Sequence, residues 1–164
     1  MMKINNATIE NIPLIKEIAE KSWRKHYPGI ISTEQIEYML EQMYSETELK
    51  KHFQNPNYHY YLLGDEENIL GIMGFENHYQ EKTTKLHRIY LLVEAKGKGL
   101  GKLALNFLKE QVKNTGDNRI ILAVNKKNSS YHFYISQGFT VYEEGVFEIG
   151  NGYVMDDYLM EFCI

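Results

Sequence analysis

The sequence feature that most constrains the fold is a glycine- and lysine-rich turn between an apolar segment and an amphipathic one. The chain reads His87-Arg-Ile-Tyr-Leu-Leu-Val-Glu-Ala-Lys-Gly-Lys-Gly-Leu-Gly-Lys-Leu-Ala104, which predicts a strand, a turn and the start of a helix. Glycines at alternate positions (Gly97, Gly99, Gly101) let the backbone approach a ligand and point several N–H groups toward it. Those amides lie at the positive end of a helix dipole, which favours bound anions. The turn also carries three lysines, Lys96, Lys98 and Lys102. It therefore predicts a phosphate site, and a diphosphate in particular.

Two other phosphate-binding motifs are alternatives for this turn. The P-loop pattern fails twice, because Lys96 stands where its first glycine belongs and Leu103 stands where Ser or Thr belongs. The stretch from Gly99 to Ala104 satisfies the looser dinucleotide fingerprint, which also requires an acidic residue after the next strand. That strand ends in Asn125 instead. A nicotinamide or flavin enzyme and a purely structural glycine turn stay open as alternatives.

Composition bounds the class of protein. A chain of 164 residues with 43% hydrophobic and 24% charged residues is typical of one globular domain. The formal net charge of −4 argues against a nucleic-acid surface, and no apolar run reaches membrane-spanning length or forms a signal peptide. Cys163 is the only cysteine, so zinc spacings are absent and we expect no metal. We expect a cytoplasmic protein without nucleic-acid or membrane partners.

Hydrophobic periodicity and turn residues divide the chain into short elements. The apolar patterns predict strands over residues 3–7, 58–63, 69–78, 84–93, 119–124, 139–149 and 153–164. Predicted helices cover residues 11–25, start at capping boxes Ser32–Gln35 and Ser45–Glu48, follow the glycine turn, and run from Asn128 or Ser129 to Gly138. Gly150-Asn-Gly152 predicts a hairpin turn between the last two strands.

This order of elements, with two motifs, resembles the GNAT superfamily of acetyl-CoA-dependent N-acetyltransferases. The first motif is Lys96-Gly-Lys-Gly99-Leu-Gly101, with Lys96 where the family usually has Gln or Arg. The second is the stretch from Asn128 through Phe133-Tyr134 to Gly138-Phe139, with Tyr131 in place of the usual alanine. The resemblance implies an α/β fold formed by a single domain over residues 1–164. Its mixed, mostly antiparallel sheet would have about seven strands, splay between strands 4 and 5, and be flanked by four to five helices.

The resemblance also implies a binding site for acetyl-CoA as co-substrate. Backbone groups of Leu91, Leu92 and Val93 would hold the pantetheine arm like an added strand, and Asn128 would hydrogen-bond it. The glycine turn would hold the diphosphate, and Tyr131 would make one wall of the channel bulkier. The expected cofactor-binding residues are Leu91, Leu92, Val93, Lys96, Gly97, Lys98, Gly99, Leu100, Gly101, Lys102, Asn128, Tyr131 and Tyr134.

Direct attack of an amine on the acetyl thioester requires a base and an acid. An alkylamine is almost fully protonated near pH 7, so a base must remove a proton, while an acid protonates the departing thiolate. Tyr134 matches the tyrosine that many family members place beside the sulfur, although packing against the sheet would also explain it. His87 is the first candidate for the base, because its intrinsic pKa suits the task. Glu76 on the neighbouring strand is the second.

Three segments resemble bacterial polyamine (spermidine/spermine) acetyltransferases: the tail from Phe147 to Met160, residues 87–90, and Tyr38-Met39-Leu40. This resemblance implies a small-molecule amine as acceptor, and a homodimer stays open. The expected acceptor-binding residues are Trp23, Tyr27, Asp156 and Asp157, since aromatic rings and carboxylates suit a polycation. An acyl-CoA-binding module without turnover, and transfer to a protein amine or an antibiotic, stay open as alternatives.

Overall fold

The computed structural model describes residues 1–164 and contains one seven-stranded sheet in the order β1-β2-β3-β4-β5-β7-β6. All neighbouring strands are antiparallel except β4 and β5, which are parallel. The predicted mixed sheet of seven strands is therefore confirmed. The strands are β1 (Lys3–Asn6), β2 (Tyr58–Gly64), β3 (Ile69–Gln80), β4 (Thr83–Leu91), β5 (Arg119–Asn125), β6 (Thr140–Gly150) and β7 (Tyr153–Cys163).

Five helices cover the two faces of this sheet: α1 (Ile12–His26), α2 (Thr33–Tyr44), α3 (Glu46–Gln54), α4 (Leu100–Thr115) and α5 (Ser130–Ser136). Residues of α1, α2 and α3 form one hydrophobic core with Tyr58, Tyr60 and Ile72 of the sheet. Residues of α4 and α5 form a second core on the other face. None of the helices is both long and apolar enough to cross a bilayer.

The helix starts follow the predicted caps in part. The Ser32 and Ser45 hydroxyls each accept a backbone N–H three residues later, from Gln35 at 3.1 Å and Glu48 at 3.2 Å. The reciprocal half of each predicted capping box is absent. Gln35 instead donates to the Val154 carbonyl on β7 at 2.8 Å, which ties α2 to the last hairpin. A tertiary acceptor has replaced the local one, because the Gln35 side chain is buried against that hairpin.

The sheet opens between β4 and β5, as predicted. These strands pair only at Thr83–Lys85 with Arg119–Ile121 and then diverge. The register of β4 against β3 also shifts at His87, where Arg88 pairs with Gly74 and Leu86 with Phe75. The extra residue is typical of a β-bulge, which bends the strand. Beyond Lys85 the edge of β4 that faces β5 is left without a strand partner.

Candidate functional site

A cleft of about 810 Å³ opens where β4 and β5 diverge. Residues 86–91 of β4 with residues 92 and 93 after it form one wall, and residues 122–124 of β5 form the other. The glycine turn closes one end, and the last residues of α1 and the first residues of α5 line the other walls. The splay of the sheet therefore connects the predicted phosphate turn with the predicted catalytic residues.

The structure requires glycine at the three positions of the turn for different reasons. Gly97 and Gly99 adopt positive φ angles of +79° and +70°, and a Cβ atom on either would meet nothing within 4 Å. Gly101 is helical, and a Cβ atom there would lie 3.1 Å from the Phe133 ring. The backbone at residues 97 and 99 is therefore open to a ligand, whereas Gly101 also lets α4 pack against α5. The sequence assigned all three the same role.

The turn leads into the N-terminus of α4, whose first backbone amides are free to donate hydrogen bonds. The first helical bond of α4 runs from the Leu103 amide to the Gly99 carbonyl at 3.1 Å, so the three preceding amides have no intrahelical acceptor. Lys96 and Lys102 line the cleft beside them. Lys98 is not among the cleft-lining residues, and its ammonium lies 3.9 Å from the Asp65 carboxylate. This geometry can bind a phosphate group through backbone amides and two of the three lysines.

Two further features suit an extended polar chain in the cleft. Leu91, Leu92 and Val93 line it next to the unpaired edge of β4, where backbone groups can pair with an added chain. Asn128 also lines it, and its Oδ1 accepts the Ser130 amide at 2.9 Å. The Asn128 side chain thus caps α5 and still has its amide hydrogens for a ligand. Tyr131 lies outside the cleft, with its ring 4.8 Å from Tyr158.

The tyrosine predicted as the acid is in the cleft. Tyr134 is 8% exposed and lines the wall that α5 contributes. Burial raises the pKa of its hydroxyl well above the usual range, and the neighbouring rings of Tyr90 and Tyr27 raise it further. The hydroxyl therefore stays protonated at neutral pH and has a hydrogen to donate to an anion that forms beside it.

The two predicted bases form a pair. His87 lines the cleft, and its Nε2 lies 3.0 Å from the Glu76 carboxylate. Because a carboxylate only accepts, Nε2 carries the hydrogen and Nδ1 keeps a lone pair. Burial and the cations of Arg88 and Lys85 lower the pKa of His87 well below its usual range, so the imidazole is neutral. Glu76 lies outside the cleft and also accepts a hydrogen bond from Asn55 at 3.3 Å.

The predicted acceptor residues separate into two groups. Tyr27 lines the cleft, and Trp23 lies behind it with the ring centroids 4.3 Å apart. Asp156 and Asp157 follow each other on β7 and therefore face opposite sides of the sheet. The Asp156 carboxylate pairs with Lys126 at 3.1 Å. Asp157 is half-buried, its Oδ1 has no donor, and burial and the adjacent Asp156 raise its pKa to about 6.

The sequence matches the acetyltransferase (GNAT) family over residues 15–139. The chain belongs to the GNAT acetyltransferase family. It is 29% identical over 143 residues to a spermidine N(1)-acetyltransferase from Thermoplasma acidophilum, which covers 85% of this chain and 89% of the relative. Its fold is similar to a crystal structure of the PaiA N-acetyltransferase from the same organism in complex with coenzyme A. That similarity has a TM-score of 0.83 and 26% identity over 100% of this chain and 99% of the other.

The GNAT fold is shared with enzymes for different acceptors. The ribosomal-protein-S18-alanine N-acetyltransferase from Escherichia coli is similar with a TM-score of 0.74 and 16% identity. The similarity covers 100% of this chain and 94% of the other. The family therefore identifies this chain as an N-acetyltransferase that uses acetyl-CoA, while the fold alone does not identify the amine.

Two of the cleft-lining residues that were not predicted as site residues are Arg88 and Tyr90. Tyr90 and Arg88 line the cleft from alternate positions of β4. Arg88 is 7% exposed, has no carboxylate partner, and donates to the Tyr60 hydroxyl. Its guanidinium lies 4.8 Å from the centroid of the Tyr44 ring. Both lie in the segment 87–90 that resembles polyamine acetyltransferases, but neither that resemblance nor their spacing of two residues on a strand distinguishes a site from a core.

Proposed function

We propose that this acetyltransferase transfers the acetyl group to a primary amine by direct attack in a ternary complex, with a polyamine as the acceptor. The observation that carries the proposal is the single cleft that joins the phosphate turn to His87 and Tyr134. The similarity to a spermidine acetyltransferase supports the polyamine.

The donor half of the cleft fits coenzyme A. The open backbone at Gly97 and Gly99 and the free amides at the start of α4 suit a diphosphate, and the unpaired edge of β4 suits the pantetheine arm. When it is bound, acetyl-CoA supplies an activated acetyl thioester. The chain's own residues orient that group in the gap between β4 and β5 and supply the proton transfers.

His87 serves as the base in this proposal. Its Nδ1 lone pair accepts a proton from the attacking nitrogen, directly or through one water molecule, while Nε2–H remains bonded to Glu76. Burial and the cations of Arg88 and Lys85 lower the pKa of His87 and make it a weaker base, so the Glu76 carboxylate 3.0 Å away has to offset them as the imidazolium forms. Glu76 thus acts on the histidine and not on the substrate, which explains why it lies outside the cleft.

Tyr134 serves as the acid. Because burial keeps Tyr134 protonated, its hydroxyl can donate a hydrogen bond to the sulfur as the thiolate departs, and it transfers its hydrogen to that sulfur. The proton that the acetylated nitrogen loses then restores the phenol. The ammonium form of the amine loses one further proton, which His87 accepts before the attack and then releases to solvent.

Asp157 and Tyr27 bind the acceptor in this proposal. An ammonium group would supply the donor that Asp157 Oδ1 lacks, and the Tyr27 ring offers a face for methylenes or a second ammonium. Trp23 does not line the cleft and supports the Tyr27 ring by stacking on it. Asp156 has no role, because Lys126 already pairs with it on the opposite face.

A panel of amines tests the proposal through thiol release from acetyl-CoA. The panel contains spermidine, spermine, an aliphatic monoamine, an aminoglycoside and a peptide with a free N-terminus. We expect the lowest KM for the polyamines, and we expect that KM to rise with salt because carboxylates attract the polycation. Equal values for spermidine and the monoamine would reject the polyamine but not the transferase. Coenzyme A binding without thiol release for any amine would indicate a binding module.

A further inference from the structure

Three aromatic rings from different elements lie against one another beside the cleft. The Tyr58 ring of β2 stacks on the imidazole of His87, with the ring centroids 4.8 Å apart and the planes 13° apart. The same Tyr58 ring stacks on the imidazole of His52 from α3, at 4.2 Å and 3°. His87 lines the cleft, whereas Tyr58 and His52 do not. Tyr58 therefore contacts the proposed base from outside the cleft.

The hydrogen bond to Glu76 fixes only part of the His87 side chain. His87 Nε2 lies 3.0 Å from that carboxylate. Because Nε2 lies close to the axis of the Cβ–Cγ bond, rotation about this bond moves it little, whereas Nδ1 lies farther from the axis and moves more. The χ2 angle of a histidine also has broad minima that are related by a half-turn. The bond to Glu76 therefore selects one of the two half-turn orientations and leaves the tilt of the ring loosely held.

Stacking on Tyr58 fixes the tilt. The Nδ1 lone pair lies in the plane of the imidazole, and a parallel ring against one face holds that plane in an attractive geometry. The Tyr79 ring also meets His87, edge-on, with 5.7 Å between the centroids and the planes 83° apart. Tyr79 is 42% exposed, so the buried Tyr58 ring is the firmer contact. Glu76 and Tyr58 together thus determine the direction of the Nδ1 lone pair.

Tyr58 is in turn held by hydrogen-bonded residues of α3 and β2. His52 Nδ1 lies 2.8 Å from the Tyr60 hydroxyl, and His52 Nε2 lies 3.3 Å from the Glu48 carboxylate. Both ring nitrogens of His52 have a partner, which fixes the second ring that stacks on Tyr58. The Tyr58 hydroxyl, by contrast, is buried and has no hydrogen-bond partner. This arrangement therefore depends on the ring of Tyr58 and not on its hydroxyl.

We propose that Tyr58 is a positioning residue, which holds the His87 imidazole by stacking so that its Nδ1 lone pair is aligned to accept a proton from the attacking amine. The proposal rests on the base role of His87 given above. In this step an N–H bond of the amine breaks and an N–H bond forms at Nδ1, while Nε2 keeps its hydrogen. Tyr58 exchanges no proton and contacts no substrate. It restricts a rotation that would otherwise have to be lost when the amine and the base align.

Replacing Tyr58 by Leu in the full chain tests the proposal. Leu offers no flat face, so we expect kcat/KM for spermidine to fall about fivefold, a smaller loss than in His87→Gln. Tyr58→Phe keeps the ring and should retain kcat/KM. The matched control is Tyr61→Leu, since Tyr61 lies on the same strand and stacks on Phe75 in the core of the other face, at 5.7 Å and 5°. Its melting temperature should fall while its kcat/KM stays unchanged.

A second variant covers the case in which Tyr58→Leu fails to fold. His52→Leu removes the other ring that stacks on Tyr58 and leaves Tyr58 itself in place. We expect a smaller loss of kcat/KM than in Tyr58→Leu, and no change in the affinity for coenzyme A in either variant.

NMR relaxation of the ring carbons of His87 separates positioning from a loss of stability, because it measures motion about χ2 and needs no substrate. The motion should increase in Tyr58→Leu and stay as in the wild type in Tyr58→Phe and Tyr61→Leu. In a double-mutant cycle, Tyr58→Leu should have little further effect on kcat/KM in a His87→Gln background. Unchanged ring motion, or additive losses, would overturn the role of Tyr58 alone. A His87→Gln enzyme with normal kcat/KM would overturn the base, and the role of Tyr58 with it.

Discussion

The two halves of the cleft are built from different parts of the chain. The donor half uses backbone groups from one continuous stretch, residues 91–102, and two glycines with positive φ. The proposed acceptor half uses side chains of α1 and β4, together with Asp157 of β7, which is not among the residues that line the cleft. Several of these side chains contact one another. A site formed by backbone groups depends on the local backbone conformation. A site formed by side chains depends on the hydrogen bonds and contacts that each side chain makes.

This difference predicts how each half responds to substitution. In the donor half a single side chain matters little unless it changes the backbone. In the acceptor half the loss of one hydroxyl or carboxylate leaves a buried partner unsatisfied or removes a proton transfer. The following substitutions test that contrast, from the largest expected effect to the smallest.

Tyr134→Phe should have the largest effect. It deletes one hydroxyl and keeps the ring, so packing against Phe139 and the affinity for coenzyme A should persist. We expect kcat to fall about 100-fold, at the lower end of the range for general acid catalysis, because a thiolate is already a fair leaving group. Steady-state kinetics under conditions limited by chemistry measure the loss. A kcat near that of the wild type would show that the hydroxyl is structural.

Gly99→Val tests the backbone of the donor half. A β-branched residue at φ +70° is strained by about 2 kcal/mol, so we expect the turn of the variant to leave the conformation that binds coenzyme A. Restoring that conformation on binding costs the same free energy, and calorimetry should show a Kd raised about 30-fold. Gly116→Val is the matched control, because Gly116 at the other end of α4 has φ +86° and equally open space. It should lower the melting temperature without changing the Kd. Equal losses of affinity in both variants would contradict a ligand role for the turn.

His87→Gln tests the base, with Glu76→Gln as its companion. Removing the imidazole should lower kcat/KM at least about tenfold, since water replaces it only in part. Glu76→Gln leaves the imidazole in place and should give a smaller loss, because only the stabilisation of the imidazolium is weakened. A larger loss in Glu76→Gln than in His87→Gln would reverse the assigned roles.

Asp157→Asn should weaken the binding of the acceptor amine and increase the stability of the folded protein. We expect KM for spermidine to rise about fivefold, since one screened carboxylate is removed from the cation site. The pKa of Asp157 is raised to about 6, against about 4 in an unfolded chain, so its ionised form destabilises the folded state. The variant should therefore melt at a higher temperature than the wild type above pH 6, and this gain should fade below about pH 4. A lower melting temperature at pH 8 would contradict the burial of an unpaired carboxylate.

Lys98→Ala should have the smallest effect. Its ammonium lies outside the cleft near Asp65, and exposed charges are screened by salt, so we expect less than about a twofold change in the Kd for coenzyme A. Lys102→Ala, which changes a lysine that lines the cleft, should have the greater effect of the two. The comparison distinguishes lysines that sequence alone treats as equal.

The sequence determined most of the fold and the donor half. Strand and helix positions follow from local periodicity and turn residues, and the observed bounds differ from the predicted ones by a few residues. The strand predicted over 84–93, for example, ends at Leu91. The geometry of the glycine turn was predictable because the glycines, the lysines and the helix that follows are contiguous, so it is fixed by local backbone preferences.

The tertiary structure alone decided the acceptor half. Nothing local separates Asp156 from Asp157 except the face on which β7 presents them, and that face depends on the register with β5 and β6. Tyr90 likewise looks like any strand aromatic until α1 and α2 bring Trp23 and Tyr44 to its oxygen. Hydrogen-bond partners that are 46 and 67 residues apart in the chain are set by packing, and packing is a property of the whole fold.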